Sequence, residues 1–450
     1  VSAARRLAAI AIGALVATAF VPAVAQAAQP STSSPSVIST LRAELRAGTL
    51  GQTTHVVNLC AQVHAACQLL AVAPQGSSKP LSTTEPVGYG ATDLETAYHL
   101  PPNWFGQNGT IAIIDAGAYP VLESDLNTYR AQYGLPACTT ASGCLKITDL
   151  HGGPPLTPDP TQLGQEEEEL VAVETSLDVE MASAACPGCH IMELQLPVGD
   201  AFPQTLADAD AATADFGTAV NTAVSLGANA ISMSYGYPTD AFTDTGTPAQ
   251  DLFHPGVAIL ASSGDSGFNG TSSAWPQDLP TVTSVGGTSL IATNTAGTKF
   301  TQTAWNAAGS SCTTDLPAAV GQPAAIAGFC AGHRAGADIS ADADPSTGPA
   351  IYDTYAPFSG QPINWTTVGG TSASSPFVAG VYARAGHLSG VLGPNTLYAA
   401  RKGTFTDVTL GQNAPRGACQ ADGFAVQVCQ AGAGWDGPTG LGTPNGLAGF

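Results

Sequence analysis

From about residue 86 onward, apolar runs of strand length alternate with helical stretches, and this alternation constrains the fold of the chain more than any other feature. The runs are Ile111 to Asp115, Ile191 to Leu196, Ala230 to Ser234 and Val257 to Ser262, with helical patterns around Asp125 to Tyr133 and Phe216 to Leu226. Continuous apolar strands are buried on both faces, and their alternation with helices implies a parallel sheet. The expected architecture is α/β, a mostly parallel sheet with helices on both faces. A domain of this size can bury a large core.

Gly369-Gly370-Thr371-Ser372-Ala373-Ser374-Ser375-Pro376 opens an apolar helical stretch, Phe377 to His387. Small residues ahead of a helix allow Ser372 to sit on a turn beside the positive end of the helix dipole, where a nucleophile is well placed. The same run also makes an ordinary N-cap.

A nucleophilic serine needs a base. None of the eight histidines opens a His-Gly-Thr helix, and His151-Gly152-Gly153-Pro154 leads into prolines that resist helix formation. The candidate lies instead between Gln165 and Met181, where Leu170, Val173, Leu177 and Met181 recur at helical spacing and predict an amphipathic helix. Glu174 and Asp178 are one turn apart and border that face. Buried together they would share a proton and create a carboxylate base; exposed, they are two ordinary helix acids. Glu166 to Glu169, at the helix start, read as a solvated cluster that complements the dipole.

A third carboxylate, Asp265, follows the run Gly256 to Ser263 in a turn flanked by Gly264 and Gly267. It is either a turn residue or, when protonated, a hydrogen-bond donor to an oxyanion. The order Glu-x-x-x-Asp, Ser-Gly-Asp-Ser-Gly and Gly-Thr-Ser-Ala-Ser-x-Pro resembles the sedolisin family of serine-carboxyl peptidases, over about residues 86–450, beginning near Gly88 to Tyr98. The resemblance implies a subtilisin-like fold and serine endopeptidase activity in acid. It makes Ser372 the nucleophile, Glu174 the general base and acid, Asp178 its partner, and Asp265 the oxyanion donor.

The resemblance also implies a Ca2+ site, with carboxylates from Asp407 and Asp436 and carbonyls from Val408, Gly432 and Gly434. Hard calcium takes about six to eight oxygens; without the resemblance these are turn aspartates. The family's glycine-rich substrate strand is replaced by the less glycine-rich Trp305 to Cys312. Asp115 matches the subtilisin aspartate position but is not required by this assignment. Two alternatives stay open, an inactive secreted binding protein on the same fold and a subtilisin-type enzyme using Asp115, His151 and Ser372.

Arg5, Arg6, the apolar Leu7 to Phe20 and Ala25-Gln26-Ala27 read as a signal peptide over 1–27, implying secretion with no membrane anchor after its removal. Residues 28–85 read as a linker and short pro-segment-like region with a helix over Val37 to Ala47, and 86–450 as the peptidase domain. Ten cysteines fit an oxidising compartment, and their spacings suggest Cys60 with Cys67, Cys138 with Cys144, Cys186 with Cys189, Cys312 with Cys330 and Cys419 with Cys429. The formal charge of −21 argues against nucleic-acid binding and suits work in acid. Protein or peptide substrates and a monomeric state are the expected partners and assembly.

Overall fold

The computed structural model describes residues 35–51, 53–62, 66–102 and 109–450. The signal peptide read over 1–27 lies outside the described residues. An eight-stranded sheet forms the centre. Its strands are β3 (Thr110–Ala116), β4 (Leu145–Asp149), β5 (His190–Leu196), β6 (Ala230–Met233), β7 (Ala258–Ser262), β8 (Thr283–Ala292), β9 (Phe300–Ala304) and β10 (Ile339–Asp342). The order is β9-β8-β7-β6-β3-β5-β4, with β10 also paired to β8. Every pairing is parallel except that of β8 with β9.

A smaller antiparallel sheet joins β1 (Thr54–Asn58) and β2 (Leu70–Pro74) to β12 (Asn364–Gly369) and β11 (Ala350–Asp353), in the order β1-β2-β12-β11. Two strands from ahead of residue 86 are thus part of the sheet that delivers the chain to Ser372.

Every residue of β6 and β7 is buried. Side chains alternate across a strand, so both faces of the main sheet are covered. The principal helices are α1 (Pro35–Arg46), α2 (Leu122–Gln132), α3 (Gln162–Ala185), α4 (Leu206–Ser225) and α5 (Thr371–Ala385). In α1 the buried residues Ile38, Leu41 and Leu45 fall on one helical face. Helix α4 begins ten residues before the Phe216 expected from periodicity, with Thr205 accepting the Asp208 amide in a capping box.

Helix α3 departs from its expected amphipathicity. From Val171 to Ala185 every residue is buried, the acids included, because α5, α2, β3 and β11 all pack against it. The expected solvated cluster at its start holds for the exposed Glu166 and is corrected at Glu168, which is buried and accepts from the Asp159 amide and the Tyr355 hydroxyl, each at 3.0 Å. Glu169 accepts the Phe358 and Ser359 amides. These carboxylates pin loops to the helix rather than face water.

All five expected disulfides form, and no cysteine is free among the described residues. No helix of the described residues is long and apolar enough to cross a membrane.

One buried ion pair ties the end of the sheet together. Arg334 donates to both oxygens of Asp338 at 2.7 and 2.6 Å, and Asp338 also accepts the Ser284 amide and the Tyr398 hydroxyl. Both charged side chains are fully buried. Asp338→Ala leaves a guanidinium without its carboxylate in the core, and should lower stability by about 3–5 kcal/mol in denaturant unfolding. A loss below about 1 kcal/mol would mean that the pair contributes little net stability.

Candidate active site

Gly370 starts α5 with φ +111°, a conformation side chains rarely adopt, and a Cβ there would run into the Gln68 carbonyl and lie 2.6 Å from Asp265 Oδ2. This turn carries the chain from β12 into α5 and leaves Ser372 in the first turn of the helix. Ser372 is fully buried, and its hydroxyl has no hydrogen bond of normal geometry. The neighbouring serines are committed elsewhere. Ser374 donates to the Ala341 and Asp342 carbonyls, and Ser375 bonds Ser232 at 2.8 Å.

Helix α3 brings Glu174 and Asp178 to the same place. Both are fully buried. Burial pushes the Glu174 carboxyl well above its ordinary pKa; the Ser372 hydroxyl opposes that shift, while Asp115 and Asp265 add to it. The hydroxyl therefore acts on the carboxyl at close range, although the contact falls short of hydrogen-bond geometry, as catalytic contacts often do before substrate binds. Asp178 Oδ2 accepts the Ser234 hydroxyl at 2.7 Å. Its pKa is also raised, first by burial, then by Asp115 and Glu174.

Asp115, at the end of β3, completes this cluster, although the motif assignment left it aside. It is buried without a hydrogen bond of good geometry and is pushed up to about 7, chiefly by burial, with the Thr175 hydroxyl opposing. Glu193 on β5 is the fourth member, raised by burial and by Asp115. Glu193 was not singled out from the motifs, and Asp115 only as a match to the subtilisin aspartate position and a member of the histidine-based alternative. Their signal is an acid inside an otherwise apolar strand, where an ionised side chain is rare unless paired. Carboxyls this close in a dry site cannot all ionise, so the cluster holds shared protons.

Asp265 reaches the site from the turn after β7. Its Oδ1 accepts the Thr371 amide at 2.8 Å and the Thr371 hydroxyl at 2.9 Å. Its Oδ2 is buried without a donor. Burial pushes the pKa up to about 7 against the pull of both Thr371 contacts. The segment that departs from the family's glycine-rich pattern braces this turn: Gly309 donates to the Gly264 carbonyl at 2.6 Å and Gly267 to Ala307 at 2.9 Å.

His151 is exposed in the turn after β4 and its amide bonds Asp149. The acids that shift Glu174 and Asp178 do so with no histidine among the causes.

Near the C-terminus, Asp407 and Asp436 meet over one glycine-rich turn. Asp407 accepts the Gly434 amide and Asp436 the Gly432 amide, each at 3.0 Å, while Thr439 donates to Asp436 through its amide and hydroxyl. Val408 is buried beside Asp407. Asp436 is pushed up to about 7, mainly by burial, with the Asp407 charge adding. The turn thus presents amide and hydroxyl donors to two neighbouring carboxylates, whose oxygens are of the kind a hard cation takes.

No family model matches the chain. Kumamolisin of Bacillus sp. (strain MN-32) is 32% identical over 396 residues, covering 80% of this chain and 63% of that protein. Sedolisin of Pseudomonas sp. (strain 101) is 28% identical over 407 residues, covering 83% of this chain and 63% of that protein. The chain therefore spans less than two thirds of the length of these relatives. The solved structure of Pseudomonas sedolisin, a serine-carboxyl proteinase complexed with two molecules of pseudo-iodotyrostatin, superposes with a TM-score of 0.58 at 25% identity, over 80% of this chain and 96% of that one. With a mostly parallel sheet in the subtilisin-like arrangement and these relatives across four fifths of its length, the chain belongs to the sedolisin family.

Proposed function

We propose that the protein is a secreted serine-carboxyl endopeptidase that hydrolyses peptide bonds in proteins at acidic pH. The observation that carries this reading is the convergence of Ser372 with three carboxyls of raised pKa, Glu174, Asp178 and Asp265, where a histidine-based site would need an imidazole.

In this reading Ser372 Oγ attacks the peptide carbonyl while Glu174 takes its proton. The developing oxyanion accepts a hydrogen bond from protonated Asp265 Oδ2. Glu174 then passes the proton to the leaving amine, and water releases the acyl group by the same route in reverse. Asp178, held by Ser234, and Asp115 orient Glu174 and share the remaining protons. In this reading Asp407 and Asp436, with the carbonyls of Val408, Gly432 and Gly434, would hold Ca2+, which when bound would cross-link the C-terminal loops and neutralise two adjacent acids.

Ser372→Ala or Glu174→Ala should each lower turnover of a denatured protein by roughly a thousandfold or more, and the double variant should lose little further. Far-UV circular dichroism should show the fold intact. Substantial cleavage by folded Ser372→Ala would remove the nucleophile.

Chelation should lower the melting temperature and added Ca2+ should restore it, because an ion bound only by the folded state stabilises it by mass action. Unchanged melting in Asp407→Ala, together with no metal in elemental analysis of the wild type, would reject the site.

The pH dependence has a definite sign. Asp115 and Asp265 hold their protons up to about 7 when folded, against about 4 for an unfolded aspartate. Their contribution to stability is fully present below about 4 and is lost as pH rises through about 7. Activity should fall over the upper part of the same range as Asp265 loses its proton. Asp265→Asn should flatten the descent while lowering the maximum rate. A wild-type optimum at neutral or alkaline pH, with the protein folded in acid, would overturn the carboxyl mechanism.

A further inference from the structure

The turn that carries Asp265 is held by a residue from outside the motifs. It leaves β7 at Ser263 and runs to Phe268, with Ser266 exposed. Residues 307–310, a loop between β9 and the strand Ser311–Pro317, lie against it. The Gly267 amide donates to the Ala307 carbonyl at 2.9 Å, the Asn269 amide to the Ser310 carbonyl at 2.8 Å, and the Ser263 hydroxyl to the Gly309 carbonyl at 2.9 Å. A loop can hold a turn only as well as it is itself held.

Asn413 fastens both. Its carbonyl accepts the Phe268 amide at 3.2 Å, and a Cβ on Gly267 would lie 2.4 Å from that oxygen, so the turn presses directly on its backbone. Its side-chain nitrogen donates to the Ala308 carbonyl and to the Ser310 hydroxyl, each at 2.7 Å. The residue is 4% exposed. Because the Ala308 carbonyl can only accept, the nitrogen end must face it, and the buried Oδ1 is left without a donor. A buried oxygen left unpaired opposes folding, and the amide is kept in place by its nitrogen alone. The clamp is anchored in turn. The Asn413 amide donates to the Cys429 carbonyl at 3.0 Å, the Ser310 hydroxyl donates to the Val428 carbonyl at 2.9 Å, and a disulfide ties Cys429 to Cys419.

We propose that Asn413 is a positioning residue for the peptidase reaction: by clamping Phe268 to Ala308 and Ser310 it keeps the Asp265 carboxyl where it can donate to the oxyanion. This rests on the peptidase reading. Thr371 holds the carboxyl itself, whereas Asn413 holds the backbone that carries it. Donation to an oxyanion is made only in the transition state, so a loosened turn lowers kcat and leaves KM near its value. Asparagine donates at every pH. Aspartate in its place would donate to Ala308 only while protonated, and once ionised would set its charge against that carbonyl. The groups bonded to Asn413, which belong to Phe268, Ala308, Ser310 and Cys429, carry no charge. Asp265 faces Thr371 from α5 and, through its charge, Glu174 from α3.

Three measurements on the full chain test this. On a quenched fluorescent peptide in acid, Asn413→Ala should lower kcat roughly 10- to 100-fold and change KM less than about threefold. In the Asp265→Ala background the same substitution should lower kcat less than about twofold further, because the group it positions is gone. Asn413→Asp keeps a donor in acid and so covers the case in which the alanine variant fails to fold. Its kcat should stay within about threefold of wild type in acid and descend at lower pH than the wild type, before far-UV circular dichroism changes. The third measurement needs no turnover. The Asp265 carboxyl carbon, labelled with carbon-13 and assigned through Asp265→Asn, should titrate roughly one pH unit lower in Asn413→Ala as the loosened turn admits water. A raised KM at unchanged kcat, an equal loss with and without Asp265, or an Asp265 titration that does not move would overturn the proposal. A shifted titration in a protein whose wild type cleaves no peptide would support the clamp on Asp265 and reject the peptidase reading alone.

Discussion

The close approach of helices α3 and α5 governs the geometry of the site. A Cβ on Gly380 would lie 2.6 Å from Ala185 Cβ and 3.0 Å from the Ala182 carbonyl, so the two backbones meet where only small residues fit. Ser372 precedes Gly380 by eight residues, and Glu174 precedes Ala182 by the same number. Both side chains therefore stand about 12 Å up their helices from one shared contact. Two helices running side by side in the same direction keep that offset, and this is how the serine and the carboxyl are brought face to face. A bulky residue at Gly380 would part the helices along their length.

The contact also dictates the chemistry. By wrapping α3 on all sides, the fold strips Glu174 and Asp178 of water and sets Asp115 and Glu193 beside them, so desolvation is the leading cause of every raised pKa in the group. An imidazolium in such a place would favour ionised carboxyls. With none there, the protons stay on the acids, and a carboxylate can work as a base only while its neighbours remain neutral. The formal charge of −21 assigns full ionisation to acids that the fold keeps protonated, and so overstates the repulsion within the native protein.

Much of this was legible in the sequence where period and local chemistry agree. The strands ending at Asp115, Leu196 and Ser262, the helix carrying Glu174 and the five disulfides follow from apolar runs, helical spacing and short cysteine separations. The motif residues Ser372, Glu174, Asp178 and Asp265 are drawn to one site by elements far apart in sequence. Glu168 misled because its solvation depends on Tyr355 and the turn at Asp159, contacts that periodicity does not encode. Glu193 escaped the motif search, and Asp115 was noted without a place in the carboxyl cluster, because their environment is set by pairing between β3 and β5, where Ile113 registers with Glu193.

Asp265 and Ser372 share a single anchor. Thr371 gives both its amide and its hydroxyl proton to Asp265 Oδ1, and its hydroxyl oxygen accepts the Gly264 amide. The turn and the helix start are thus fastened through one residue adjacent to the serine. With Oδ1 accepting twice, a proton on this carboxyl belongs on Oδ2, the atom that has no donor and faces Gly370. The hydrogen bonds that hold the turn in place therefore also decide which oxygen can donate, the one that faces Gly370, two residues before Ser372. Position and protonation of the Asp265 carboxyl are fixed together, and a change at Thr371 would disturb both at once.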